Sequence, residues 1–337
     1  MPIAGERVAF PRSGEVVVER FELPDPGRHQ LLVRTDRTAI SAGTELTTLL
    51  GAGPRSRFPA YPGYSNVGVV EKVGEGVEGL RVGDRVLSMG RHQTHLLLDL
   101  APDRPGGPEY LEPVPAGLAS EPAAFAILGS VALHGLRRAV PRLGEAAAVF
   151  GQGIVGQLLV QLLRAAGCDP VIAVDLVPAR LESARRSGAH ALVDASRQDV
   201  EAAVRGATGG RGAELVFDAT RTPSTLPVMM KAAAMGGRVL FVGSVMGTVE
   251  IDAFTELQLK ELSIVGCFQP AAPTEPHHFL PWTQRRNRQL FMGMTTQGSV
   301  KLDHLITHRL PYTRAPEAFE MIKRGGTDWL GVVFTWS

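Results

Sequence analysis

Residues 149–157, VFGQGIVGQ, decide the fold. An apolar run over 146–150 stops at Gly151, and a helical period begins at Ile154 and runs to Gly167. The pattern G-x-G-x-x-G is common on its own. Between a buried strand and a helix it acquires a physical meaning. Gly151 allows the tight turn, Gly153 lets the backbone approach a pyrophosphate, and Gly156 lets the helix pack close to the strand. The helix start offers free N–H groups and the positive end of its dipole to phosphates. Gly151, Gln152, Gly153, Ile154, Val155 and Gly156 are therefore candidate cofactor-binding residues; the bland alternative is a tight strand-to-helix turn and nothing more.

Working outward, the alternation continues. PVIAVD (170–175) reads as a second strand, with PARLESARRSG (178–188) a helix after it. ALVD, AELVFDAT, RVLFVGS and LSIVGCF are further strands, separated by helices over DVEAAVRGAT and TLPVMMKAAAMGG. Six strands alternating with helices predict a doubly wound parallel sheet. The second strand ends at Asp175, about 20 residues beyond the glycines, where a carboxylate accepts hydrogen bonds from ribose hydroxyls and repels a 2′-phosphate. That favours NAD over NADP. Arg180 follows; it either touches the same ribose or readmits NADP.

Ahead of this unit, residues 1–118 are rich in short strands and turns. NVGVVEKVGEGVEGLRVGDRVL (66–87) is dense in Val and Gly, the texture of a small antiparallel barrel. APDRPGGPEYLEPVP (101–115) reads as a loop, and EPAAFAILGSVALHGLRRAV (121–140) as a helix. Behind the sheet, PWTQRRNRQLFMGMTTQG (281–298) reads as an amphipathic helix, KLDHLITHRLP (301–311) as extended, and RAPEAFEMIKRG (314–325) as a helix. The expected division is 1–127, 128–269 and 270–337.

Composition excludes several classes. The chain has 337 residues, with 35 Lys and Arg against 34 Asp and Glu, so no field steers nucleic acid or an anionic membrane. No apolar run is long enough to span a bilayer, and the first residues do not read as a secretory leader. Cys168 and Cys267 are the only cysteines, too few for a disulfide framework or a four-thiolate zinc site. A cytoplasmic protein is the expectation.

Two further stretches carry a family resemblance: YPGYSNVGVVEKVGEGVEGLRVGDRV (61–86) and KLDHLITHRLPYTRAPEAFEMIKRGG (301–326). With the glycine loop between them, the whole chain resembles the medium-chain dehydrogenase/reductase superfamily of the zinc alcohol dehydrogenase type. The variants SAGTE and GYSNVGVV are similar to a zinc-lacking branch that includes bacteriochlorophyllide dehydrogenase-like and sugar-linked two-domain oxidoreductases. The resemblance implies an α/β architecture: a GroES-like β-rich catalytic domain built from both ends of the chain, a central Rossmann domain, and an active site in the cleft. It also implies hydride transfer with a nicotinamide cofactor and a homodimer through the cofactor domains. Thr220, Val242, Gly243, Gly266, Phe268 and Val131 match positions lining the nicotinamide in relatives.

The family's zinc-ligand slots hold Ala42, Tyr64 and Ile127. Two of these have no donor atom, so the resemblance implies chemistry without metal. Tyr64 either polarises a substrate oxygen or fills the metal's void. Thr44 matches a proton-relay hydroxyl, or merely caps backbone. Glu45 is a general base or a buried ion-pair partner. His92 either faces the cleft or packs. In the 270–288 segment, Trp282 and Arg288 form a wall for a polar or anionic substrate, or else a surface loop. The reading is a zinc-independent, NAD-dependent dehydrogenase for a polar secondary alcohol: a sugar, a cyclitol or a biosynthetic intermediate. The rivals are an NADPH-dependent enone or quinone reductase, and a non-catalytic nicotinamide-binding sensor or scaffold.

Overall fold

The computed structural model describes residues 2–54, 56–101, 111–276, 278 and 281–336. Most of the predicted 101–115 loop lies outside the described residues. The chain forms two compact units: Met1–Ile127 with Ile306–Ser337, and Leu128–Leu305.

In the first unit, β1 (Ile3–Ala9) and β2 (Val17–Leu23) make an antiparallel ribbon. Then come β3 (Gln30–Ala39), α1 (Ala42–Leu49), β4 (Asn66–Val73), β5 (Arg85–Ser88), β6 (His95–Asp99), β7 (Leu111–Pro113) and α2 (Ser120–Ala123). Helix α1 is not predicted by the sequence reading, because GTELTT is a poor helix former. What fixes it is Glu45, whose Oε1 reaches back to the Ser41 N–H at 2.8 Å, as an acidic side chain in a first turn can.

The second unit contains α3 (Ala126–Ala139, beginning at the division), β8 (Ala147–Phe150), α4 (Ile154–Ala165), β9 (Val171–Asp175), α5 (Pro178–Arg186), β10 (Ala191–Asp194), α6 (Val200–Ala207), β11 (Ala213–Asp218), α7 (Leu226–Ala232), β12 (Ala233–Phe241), β13 (Ser263–Gly266) and α8 (Gln284–Thr296). The six strands are parallel, in the order β10-β9-β8-β11-β12-β13. Strand order reverses beside β8, which places a ligand crevice outside the carboxyl ends of β8 and β11. Ile172, Val174, Val216, Met229 and Val239 belong to its core.

Two expectations are corrected here. Helix α7 is shorter than TLPVMMKAAAMGG suggests, because Ala233 already pairs with Ala213 of β11 and the strand captures the small residues. The second domain boundary lies at Ile306 rather than at residue 270. Segment 270–305 stays with the second unit because α8 packs on α3: a Cβ on Gly129 would sit 2.2 Å from the Phe291 ring.

The chain then returns to the first unit through β14 (Ile306–Pro311), α9 (Ala315–Lys323) and β15 (Gly331–Thr335). β15 pairs antiparallel with β3, Val333 opposite Ala39, and so completes a seven-stranded sheet. The tail also supplies core: Phe319 packs edge-on against Phe10 with ring centroids 5.0 Å apart. Among the described residues, no helix is long and apolar enough to cross a membrane.

Candidate active site

The glycine loop of the second unit separates into glycines that the fold requires and one that it does not. Gly151 has φ +85°, and a Cβ there would meet Thr220 Cγ2 at 2.9 Å. A Cβ on Gly156 would lie 1.9 Å from the Gly151 carbonyl oxygen, an impossible approach. Gly153 is different. It begins α4 in extended backbone (φ −71°, ψ −174°), and a Cβ there would meet no heavy atom within 4 Å. Packing does not demand this glycine; a group seated in that open space would.

Asp175 ends β9, with Oδ2 accepting the Gln152 N–H at 2.6 Å and Oδ1 the Val177 N–H at 2.9 Å. The carboxylate thus locks the loop to the second strand, and each oxygen keeps a lone pair for a further donor. Arg180 is partly buried nearby, its carbonyl accepting from Gln157 Nε2 at 2.9 Å. The Gln152 side chain is buried and donates to the Val149 carbonyl at 2.8 Å.

Sequence reasoning missed Asp218, the buried residue at the end of β11. Its carboxylate accepts from Thr220 N at 2.7 Å and Thr225 Oγ1 at 3.1 Å. Its carbonyl accepts from Val242 N at 2.9 Å and Gly243 N at 2.8 Å. Burial pushes its pKa up, against the lowering effect of the Thr220 and Thr225 bonds. One residue therefore gathers Thr220, Val242 and Gly243 at the switch point. Its only sequence signal was an acid closing the apolar run LVF. Gly243 itself is forced, since a Cβ would lie 2.1 Å from the Thr220 carbonyl. Val131 is half-buried on α3, one turn before Gly135, which abuts Val242. Gly266 and Phe268 lie at the exposed end of the edge strand β13.

The four catalytic candidates all lie in the first unit and form one connected group. His92 has no exposed surface and Glu45 is 3 % exposed. Thr38 Oγ1 accepts from Trp336 Nε1 at 3.0 Å, so its own O–H is free to donate to His92 Nδ1 at 2.7 Å. That leaves the His92 proton on Nε2, donating to Glu45 Oε2 at 2.9 Å. The imidazole also stands edge-on to Phe334, centroids 5.2 Å apart. Glu45 Oε1 holds the Ser41 backbone, and the Tyr64 hydroxyl donates to Ser41 Oγ. Ser41 and Thr38 are members that sequence reasoning missed, because only the folded sheet brings β3, β15 and the 89–94 turn together. His92 and Glu45 are accordingly enclosed behind Ser41, while Tyr64 is partly exposed and Thr44 exposed. Burial raises the Tyr64 pKa above the usual tyrosine value; hydrogen bonds with Ser41 and Thr44 oppose this, and the Glu45 charge adds to it.

A zinc of the family's catalytic type does not fit these residues. Ala42 and buried Ile127 offer no donor, and the Tyr64 phenol is engaged with Ser41. Among the described residues, no three of His, Cys, Asp or Glu converge as a metal site. The two thiols are buried and pushed up to about 11, so both are neutral.

The substrate-wall expectation needs revision in its details. Arg288 is 1 % exposed and lines no open surface. Trp282 carries the Arg137 guanidinium 3.1 Å and the Arg286 guanidinium 3.7 Å from its ring centroid. Two groups so near one centroid exclude each other from a shared face, so both faces of the indole are occupied and only its edges are open.

Comparison with known proteins agrees with this anatomy. Residues 27–104 match the alcohol dehydrogenase GroES-like domain, and residues 155–285 the family described as zinc-binding dehydrogenase. The (R,R)-butanediol dehydrogenase of Bacillus subtilis is 31% identical over 285 residues, covering 75% of this chain and 81% of that protein. The chain belongs to the medium-chain dehydrogenase/reductase superfamily. Human sorbitol dehydrogenase is 26% identical, covering 93% of this chain and 91% of its own. A solved structure from Sinorhizobium meliloti, bound to NADP, superposes with a TM-score of 0.84 at 24% identity, covering 99% of both chains. At that identity the likeness speaks for the fold alone.

Proposed function

We propose that this chain is an NAD-dependent dehydrogenase/reductase that interconverts a polar secondary alcohol and its ketone without zinc. The observation that carries the reading is Tyr64: a partly exposed phenol in a former ligand slot, tied to Ser41 and held neutral by burial. The relatives named for butanediol and sorbitol support a polyol-like substrate.

The cofactor, when bound, supplies or accepts the hydride. Gly151–Gly156 would hold its pyrophosphate, with the open space at Gly153 as the cradle. Asp175 would take the ribose hydroxyls on its remaining lone pairs and would disfavour a 2′-phosphate. The Tyr64 O–H turns from Ser41 Oγ to the ketone oxygen and gives up its proton as that oxygen becomes an alcohol; the phenolate then takes a proton back from solvent. The raised pKa suits a donor better than a base. Thr44 is the hydroxyl beside it. Glu45 and His92 touch no substrate; they fix Ser41, and Ser41 fixes the phenol. The exposed β13 edge, with Ile264 39 % and Phe268 64 % exposed, pairs with a second copy to form a dimer.

The test is a spectrophotometric assay on chelator-treated protein, with NAD⁺ and NADP⁺ supplied separately alongside sorbitol, 2,3-butanediol and a panel of cyclitols. Turnover with NAD⁺ in the absence of metal supports the reading. Activity lost to the chelator and restored by zinc overturns the metal-free mechanism, and preference for NADP⁺ overturns the role given to Asp175. Sedimentation as a monomer at micromolar concentration removes the dimer.

A further inference from the structure

Helix α8 begins with positive charge. Its first turn contains Arg285 and Arg286 and no acidic residue, although the positive end of the helix dipole lies there. Arg286 stacks on Trp282, and Arg137, from the end of α3, stacks on the opposite face. Arg137 Nε donates to Asn287 Oδ1 at 3.1 Å, and Arg286 Nη1 to the Pro281 carbonyl at 3.2 Å. Among the described residues, neither guanidinium has a carboxylate partner. Burial, and then the Arg286 charge, lower the Arg137 pKa to about 10.

A second observation is independent of charge. Asn287 is 1 % exposed, and its Nδ2 has no hydrogen-bond partner. Its Oδ1 is committed to Arg137, so flipping the amide would set two donors against each other. A buried amide donor without an acceptor is unfavourable by about 1–3 kcal/mol in general. It sits on the same amide that meets Arg137.

We propose that Arg137, Arg286 and the Asn287 amide, grouped around Trp282, bind the phosphate group of a small phosphomonoester. The guanidinium carbons are separated by no more than the sum of 3.1 and 3.7 Å. A tetrahedral anion at the indole edge spans that gap with charge-assisted bonds of about 2.8 Å on each side. Its charge of nearly −2 at neutral pH matches two guanidiniums, where a carboxylate would neutralise one. Arg286 is exposed, so the anion enters from solvent. The site is distinct from the glycine loop and does not depend on the proposed reaction.

The experiment is calorimetric titration of inorganic phosphate, glycerol phosphate and acetate into the full chain at constant ionic strength, with saturating NADH to fill the glycine loop. Phosphate and glycerol phosphate are expected to bind saturably, and acetate at least about tenfold more weakly. Arg286→Gln, a surface change that leaves the thermal midpoint intact, weakens phosphate about tenfold or more; Arg137→Gln does the same, and Arg286→Lys retains part of the affinity. Unchanged phosphate affinity in both glutamine variants overturns the assignment, as does the absence of saturable binding below about 10 mM. Acetate binding as tightly as phosphate overturns the choice of a dianion, and failure of glycerol phosphate overturns the monoester. A chain that binds phosphate but no NADH sinks the proposed reaction and leaves this site standing.

Discussion

Gly153→Ala separates what the glycine loop does for the fold from what it does for a ligand. The backbone there is extended, which alanine adopts freely, and the new methyl meets nothing within 4 Å. Alanine is a poorer N-cap than glycine by roughly 0.5–1 kcal/mol. It also restricts the unfolded chain, which stabilises by about 0.4–1 kcal/mol. These effects offset, so urea unfolding should shift by less than about 0.5 kcal/mol. Gly156→Ala is the contrast. Its Cβ would fall 1.9 Å from the Gly151 carbonyl, backbone against backbone, and the loop or helix must move at a cost above about 3 kcal/mol. If the open space at Gly153 receives a pyrophosphate, the methyl occupies it. NADH fluorescence titration should then show at least tenfold weaker binding, about 1.4 kcal/mol, in a variant as stable as the parent. NADH affinity unchanged in Gly153→Ala would refute the cradle. A large loss of stability would show that the glycine serves packing after all.

Tyr64→Phe should lower the turnover of ketone reduction by about 10²–10⁴ while leaving NADH affinity unchanged; equal turnover would return Tyr64 to a filler of space. Because burial disfavours the phenolate, the proton is lost later than in a free tyrosine. Ionisation of Tyr64 should therefore put no descending limb on the reduction rate below about pH 10, and a limb near neutrality that disappears in Tyr64→Phe would contradict this. Glu45→Ala strips the acceptor from both the His92 ring N–H and the Ser41 backbone N–H, and should destabilise by about 2–5 kcal/mol in urea unfolding. A double-mutant cycle with His92→Ala should give a coupling above about 1 kcal/mol; additive costs would count against the pair.

The second unit was legible because its signals are local: strand and helix periods, punctuating glycines and an acid ending an apolar strand. The exceptions also have local causes. Ala233 reads as helix until β11 pairs with it, and the stretch after residue 270 reads as a return to the first domain until Phe291 is seen against Gly129. The first unit's site was legible only as a set of candidates. Thr38 and Trp336 are separated by nearly the whole chain and meet because β15 completes the sheet beside β3. No spacing rule reports such a contact.

That closure of the sheet bears on the chemistry. A buried carboxylate without partners is costly, and pairing or hydrogen bonding relieves it. Here Glu45 has one oxygen on the Ser41 N–H and the other on His92, and His92 is oriented in turn by Thr38 and Trp336. Both oxygens of the acid are therefore supplied with donors by side chain and backbone. The same bonds place Ser41 where it accepts the Tyr64 hydroxyl. Removing His92 should consequently disturb the phenol three hydrogen bonds away: in His92→Ala, turnover should fall while NADH affinity holds, and any descending limb of the pH profile should move to still higher pH, because the Ser41 bond that lowers the Tyr64 pKa loosens. If His92→Ala lowers stability but leaves turnover and profile unchanged, Glu45 and His92 support the sheet alone, and the chain from β15 to the phenol ends at Glu45.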